Sequence, residues 1–223
     1  MRIGLLGGSF NPIHRGHLAV ARAARAALHL DRIVLVPSAR PPHKSSSLAS
    51  AEDRFAMASL AAADPVFAGA GFEVSDVELT RTGPSFTIDT LRWFRERDPA
   101  AELFFVVGAD SVPELKTWRD ARELFRLARF AVAARPGHDL EGDLAALARD
   151  LGAEAAQGLR ERVVPIEPDP LSATEIRRRL RDGDSIEGLV PDAVRRYIHE
   201  RGLYGARMLP APGRPARETR SAE

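Results

Sequence analysis

His14 and His17 stand three residues apart in the run Gly7-Gly8-Ser9-Phe10-Asn11-Pro12-Ile13-His14-Arg15-Gly16-His17. Two imidazoles at that spacing on the first turn of a helix share one side, where they can donate hydrogen bonds to an anion or share a metal. Their neighbours favour the anion. Gly7 and Gly8 let the chain turn sharply and bring its backbone against a ligand with no Cβ in the way. A helix opening near Gly16 adds unpaired N–H groups and the positive end of its dipole, which attract phosphate before any side chain is counted. The pattern is neither the G-x-G-x-x-G of a dinucleotide fold nor the G-x-x-x-x-G-K-[ST] of a P-loop. Two other readings stay open at this point: ordinary surface histidines after a buried strand, and a zinc site. The absence of cysteine and of a second ligand cluster weighs against zinc.

A second set of residues lies far along the chain. Ser172 with Glu175 three positions on is a capping-box pattern and places a helix start there. Capping alone accounts for that pair, but Thr174 and Arg177 add a hydroxyl and a guanidinium that suit a triphosphate. Between the two sets, Pro41-Pro42-His43-Lys44 forms a stiffened loop; Lys44, one of two lysines with Lys116, either clamps a phosphate or is simply solvated. Ser85-Phe86-Thr87 precedes a helix-like run, with Ser85 or Thr87 as its cap. Gly108-Ala109-Asp110-Ser111 ends an apolar run, where Asp110 either takes ribose hydroxyls or caps a helix. Trp118 can stack on a planar ring or fill core space.

These residues need a frame. Apolar β-type runs cover residues 3–6, 33–36, 103–107, 130–134 and 163–166, with helix-type runs between them. Strands alternating with helices predict a single α/β domain: a Rossmann-like, doubly wound parallel sheet with helices on both faces, binding ligands at the carboxyl ends of its strands. Each motif follows the end of a predicted strand. The first helix, over residues 18–30, is two-sided: Arg15, Arg22, Arg25 and His29 mark its polar face, and Leu18, Ala21 and Leu28 point inward. At 223 residues and 44% hydrophobic, the chain can bury a sizeable core without a second domain. Residues 206–223, with Pro210, Pro212, Gly213 and Pro215, are expected to form a disordered C-terminal tail. The 32 basic residues nearly balance 31 acidic ones, so the net charge of +1 offers no field for nucleic acid, and the arginine richness reads as composition rather than a binding surface. No apolar stretch approaches the ~20 residues of a membrane span. With no secretory leader and no cysteine, a soluble cytoplasmic protein is expected.

The glycine turn with its His-x-Gly-His ending resembles the signature of the H-x-G-H nucleotidyltransferase superfamily. Leu171-Ser172-Ala173-Thr174-Glu175-Ile176-Arg177 resembles the Ile-Ser-x-Thr-x-x-Arg motif of the same group, with Leu171 in place of Ile. Adding Pro-Pro-His-Lys, the run from Ser85 to Leu91, Gly-Ala-Asp-Ser with Trp118, Arg135-Pro136-Gly137 and a closing stretch at 194–204, the chain resembles the bacterial nicotinate-nucleotide adenylyltransferase family over about residues 2–205. Phosphopantetheine adenylyltransferases share the first motif but lack the Pro-Pro-His-Lys and Ser-Phe-Thr blocks.

The resemblance implies a nucleotidyltransferase domain over residues 1–205 that moves the adenylyl group of ATP to nicotinate mononucleotide in NAD biosynthesis. Mg²⁺ is implied with ATP, with no metal site in the protein itself. Catalytic roles fall on His14, His17 and Arg177. ATP binding falls on Gly7, Gly8, Ser9, Phe10, His17, Gly108, Asp110, Ser172, Thr174 and Arg177. Mononucleotide binding falls on Ser9, Lys44, Thr87, Trp118 and Arg135. The implied partners are these two small molecules, with no nucleic acid and no membrane, for a monomer or small homo-oligomer. Asn11 stands where the family often has Asp, and Phe86 where Tyr is usual; Asn11 removes a charge near the phosphates. The alternatives are transfer to nicotinamide mononucleotide or another phosphorylated acceptor, and a non-catalytic nucleotide-binding regulator.

Overall fold

The first apolar run, Ile3-Gly4-Leu5-Leu6, forms the middle of strand β1 (Arg2–Gly8), which lies at the centre of a parallel sheet. A computed structural model describes residues 1–42, 48–67, 71–134, 137–167 and 171–207. Around β1 stand β2 (Arg32–Pro37), β3 (Phe72–Val74), β4 (Glu102–Gly108), β5 (Arg129–Ala134) and β6 (Val163–Pro165), in the spatial order β3-β2-β1-β4-β5-β6. The helices are α1 (Arg15–Ala27), α2 (Ala51–Ala62), α3 (Thr87–Arg97), α4 (Ala121–Leu127), α5 (Leu140–Leu151), α6 (Ala153–Glu161), α7 (Ala173–Asp182) and α8 (Asp192–Glu200). Two 3₁₀ segments occupy Ala109–Thr117 and Leu203–Gly205.

Near-continuous runs such as Ile33-Val34-Leu35-Val36 are what a strand buried on both faces requires. Alternate residues feed two separate cores. Leu6, Ile33, Leu35, Phe104, Val106, Ala131 and Val164 pack with Leu18, Ala21 and Ala24 of α1, Met57 of α2, Ile176 of α7 and Ile198 of α8. Ile3, Leu5, Val34, Val36, Leu103, Phe105, Phe130 and Val132 pack with Leu91 of α3, Val112 of the 3₁₀ segment, Leu124 of α4, Leu147 of α5 and Leu159 of α6. The sheet is therefore doubly wound, in one domain, as its strand and helix pattern predicts.

After β1 the chain builds outward to β3, then returns to place β4 on the other side of β1. Gly7 and Gly8 pair with Val36 and Pro37 of β2, while Leu6 pairs with Val106 of β4. The carboxyl ends of β1 and β4 thus diverge into loops heading to opposite faces, the place where a doubly wound sheet opens a crevice.

The structure moves several expected boundaries. β3 is an edge strand of three residues, too short for any alternation to show. Helix α1 starts at Arg15, one residue before the expected opening, because His14 caps it, and it ends at Ala27. At the other end Ala206 is buried and the Arg207 carbonyl lies 2.8 Å from His199 Nδ1. Residues 208–223 lie outside the described residues. No helix among the described residues is long and apolar enough to cross a membrane.

Candidate active site

At the end of β1 two close approaches explain the paired glycines. A Cβ on Gly7 would sit 3.2 Å from Phe105 Cζ, and one on Gly8 would sit 3.0 Å from Phe10 Cε1. Gly7 is nevertheless exposed, so bare backbone faces the crevice. Phe10, with φ at 43°, turns the chain back and buries its ring edge-on to His17, at 5.1 Å between centroids. His14 is the N-cap of α1 and His17 its third residue; their rings lie 3.8 Å apart, on one side as the spacing predicts. The His14 N–H donates to His17 Nδ1 at 3.3 Å, while the His17 N–H donates to the His14 carbonyl at 3.0 Å. His17 thereby fills the place a Glu or Gln side chain takes in a capping box. With Nδ1 accepting, the ring proton is assigned to Nε2, which makes His17 a donor at its outer nitrogen. No acidic residue stands in the first turn of α1 to offset its positive end.

The second motif meets the first here. Arg177 Nη1 donates to the main-chain carbonyl of Asn11 at 2.7 Å, and its Nη2 donates to Thr174 Oγ1 at 3.2 Å. Ser172 is the N-cap of α7, its Oγ accepting from the Glu175 N–H at 3.2 Å. Glu175 does not complete a reciprocal box. Its carboxylate turns to Arg178 (2.8 Å) and Arg179 (3.0 Å), whose hydrogen bonds pull its pKa down to about 2. Asn11 is buried with its side chain turned inward: Oδ1 accepts from the Ala49 N–H at 3.0 Å and from the Tyr204 hydroxyl at 2.8 Å. Its side chain thus works as a buried acceptor inside the fold, a role that does not require the negative charge of an Asp.

Sequence reasoning does not single out Arg54. It is only 1% exposed, and its guanidinium donates to four carbonyls: Ala49 (3.0 Å), Ser9 (2.8 Å), Ala39 (3.0 Å) and Ser38. Burial lowers its pKa, yet a guanidinium stays protonated at any working pH. A signal was available: Arg54, Met57, Ala58 and Ala61 form the buried stripe of α2, and a lone cation on such a stripe requires partners. Next to it, buried Asp53 accepts from Ser50 Oγ (2.9 Å) and Tyr197 Oη (2.8 Å) and pairs with Arg201 (3.2 Å). Burial pushes the Asp53 carboxyl up, but the hydrogen bonds from Tyr197 and Ser50, with Arg201, outweigh it and hold the carboxyl below its ordinary range.

Of the remaining expected residues, Gly108, Asp110, Trp118 and Thr87 are described, at the end of β4, in the segment that follows it and at the start of α3. Gly108 is the N-cap of the 3₁₀ segment, and a Cβ there would run into Asp110 Oδ1, so the exposed Asp110 carboxylate lies over the strand end. Asp110 is therefore not the cap. Trp118 is half-buried and edge-on to Phe105 at 6.0 Å, the same ring that underlies Gly7. Thr87 is the first residue of α3, whose N-cap is Phe86; neither Ser85 nor Thr87 caps it. Ser85 is engaged elsewhere: its N–H donates to the Arg40 carbonyl at 2.9 Å, and its Oγ accepts from the Arg40 N–H at 3.1 Å. This draws the loop after β2 onto the start of α3. Arg119 lies over the Phe86 ring at 4.9 Å. Lys44 and Arg135, with His43 and Pro136, lie outside the described residues.

A doubly wound sheet with a histidine pair on the first turn of α1, and a Thr-Arg pair delivered to the same loop by α7, defines a nucleotidyltransferase class. The family model described as cytidylyltransferase-like matches residues 5–179. The chain is 46% identical over 205 residues to the "probable nicotinate-nucleotide adenylyltransferase" of Thermus thermophilus, covering 92% of this chain and 100% of that one. It is 40% identical over 204 residues to the protein of the same description from Desulfitobacterium hafniense, covering 91% and 95%. The fold is shared with Plasmodium falciparum nicotinic acid mononucleotide adenylyltransferase complexed with NaAD, at a TM-score of 0.70 and 20% identity over 92% of this chain and 97% of that one. The chain belongs to the nicotinate-nucleotide adenylyltransferase family.

The Asp53 contacts give a pH-dependent expectation. A carboxyl held below its unfolded value stabilises the fold above that value and loses the contribution as pH falls through the folded one. Asp53→Asn should lower Tm at neutral pH, and the gap from wild type should close as pH falls below ~4, the ordinary carboxylate range. Thermal unfolding across pH checks this; a gap that stays constant into strong acid would show that the Asp53 charge does not contribute.

Proposed function

We propose that this chain transfers the adenylyl group of ATP to nicotinate mononucleotide, giving nicotinate adenine dinucleotide and pyrophosphate, as a cytoplasmic enzyme of NAD biosynthesis. The observation that carries the chemistry is the joining of the histidine pair, the bare Gly7-Gly8 backbone and Arg177 on one loop. The acceptor phosphate is already an ionised nucleophile, so its attack on the α-phosphorus needs no general base. The protein must instead align two anions that repel each other and stabilise charge as the bond to pyrophosphate breaks.

In this reading His17, through Nε2–H, and His14 stabilise charge on the α-phosphate and bridging oxygen, with the backbone of Gly7, Gly8, Ser9 and Phe10 beside them. Ser172, Thr174 and Arg177 hold the β- and γ-phosphates that leave. Gly108 and Asp110 take the adenosine ribose at the end of β4. Ser9 and Lys44 bind the mononucleotide phosphate with help from Arg135, and Thr87 with Trp118 takes the pyridine ring. Main-chain N–H groups near Thr87 and Trp118 are assigned to the nicotinate carboxylate. Mg²⁺ would be carried by the ATP triphosphate, whose oxygens are hard ligands suited to it. Bound there, Mg²⁺ neutralises phosphate charge.

Pyrophosphate release with Mg-ATP, comparing nicotinate with nicotinamide mononucleotide, tests the reading. Release should be faster with nicotinate mononucleotide by orders of magnitude. Comparable rates would remove the acceptor assignment, and no release with either would remove the activity. His17→Ala should lower kcat by about 10²–10³-fold, the loss seen when one preorganised donor is removed, with the fold intact and Tm lowered only by the few degrees that a lost cap contact costs. A folded, fully active His17→Ala enzyme would contradict the role given to His17.

A further inference from the structure

We infer that Tyr204 is a positioning residue for adenylyl transfer: its hydroxyl fixes Asn11 and, through the Asn11 main-chain carbonyl, sets Arg177 on the triphosphate. The inference rests on the reading in which Arg177 holds the leaving phosphates. Tyr204 belongs to the 3₁₀ turn that follows α8, remote in sequence from both motifs. Gly202, Tyr204 and Gly205 all have positive φ, at 59°, 60° and 79°. Two of the three are glycines, for which such angles carry no steric cost, whereas a bulky aromatic residue there is strained and held by its surroundings. The Tyr204 ring packs against the core beneath α1, α7 and α8.

Packing alone would be served by phenylalanine, which brings no hydroxyl to bury. The Tyr204 hydroxyl donates to Asn11 Oδ1 at 2.8 Å, beside the Ala49 N–H at 3.0 Å. The peptide carbonyl of the same residue receives Arg177 Nη1 at 2.7 Å, and Thr174 Oγ1 holds Nη2 at 3.2 Å. A residue buried to 3% exposure and held by its side chain presents its carbonyl in one orientation. The Arg177 fork is then preset before substrate arrives, so less of its rotamer freedom is lost on binding. The phenol feels the positive charges of Arg54 and Arg177, yet burial outweighs them and pushes its pKa well above the ordinary tyrosine value, so it remains a hydrogen donor.

Tyr204→Phe removes the donor and keeps the ring. In the full-length chain, calorimetric Mg-ATP binding and the ATP KM should weaken about 3- to 10-fold, the scale of one hydrogen bond. The mononucleotide KM should stay near wild type, and Tm should fall only by the few degrees that one lost hydrogen bond costs. In an Arg177→Ala background the same substitution should cost less than about twofold in Mg-ATP binding, because its route is already cut. A merely structural role would lower Tm and the active fraction without separating the two KM values. Wild-type ATP binding by Tyr204→Phe, equal change in both KM values, or an undiminished loss in the Arg177→Ala background would each overturn the inference. If wild type binds Mg-ATP but turns over no acceptor, the proposed reaction fails while the binding cycle still decides the role of Tyr204; if wild type does not bind Mg-ATP, both fall.

Discussion

Arg54 is a buried cation whose hydrogen bonds go to main-chain carbonyls rather than to a carboxylate. Taking a guanidinium out of water costs several kcal/mol unless its donors are satisfied. Meeting that demand here requires Ser9 after β1, Ser38 and Ala39 after β2, and Ala49 before α2 to turn their carbonyls to the same point. The turn after β1 and the two ends of the β2–α2 connection are thereby fixed relative to one another. The glycine turn, which by its composition is the most pliable segment of the site, is held at Ser9 by a residue that need not touch substrate.

The same turn of α2 also reaches the other way. Asp53 binds Tyr197 and Arg201 at the end of α8, and the following turn delivers Tyr204 to Asn11. The carboxyl-terminal segment is thus tied to the loop carrying the histidines both directly and through α2. Arg177 adds a third tie from α7. Residues far apart in sequence converge because β1 lies at the switch point of the sheet, where helices from both halves of the chain end near one strand.

The sequence is legible where the signal is long or chemically specific. Five apolar runs mark five of the strands, and their alternation with helices implies a doubly wound sheet; Phe72-Glu73-Val74 is too short to register. The His14 and His17 pair and the Ser172 cap follow from local spacing, since each partner lies within one helical turn. Arg54 and Asn11 are a different case. Their partners lie up to 45 and 193 residues away, and no local pattern encodes such pairings. Ser85 reads as a cap but is drawn off by Arg40 from another loop. Reading arginine as background composition misses the one arginine that is fully buried among the described residues.

The chemistry follows from the hydrogen bond that orients His17. With Nδ1 accepting from the His14 N–H, the outer nitrogen carries the proton, so in the proposed reaction it acts as a donor and not as a nucleophile or base. Adenylyl transfer should then occur in one in-line displacement by the mononucleotide phosphate, with no adenylyl-enzyme intermediate. The most direct test is the stereochemical course at the α-phosphorus, using ATP made chiral there and nicotinate mononucleotide as acceptor. Inversion of configuration is the expected result. Retention would mean two displacements through a covalent adenylyl-enzyme, and would contradict the donor role of the histidine pair.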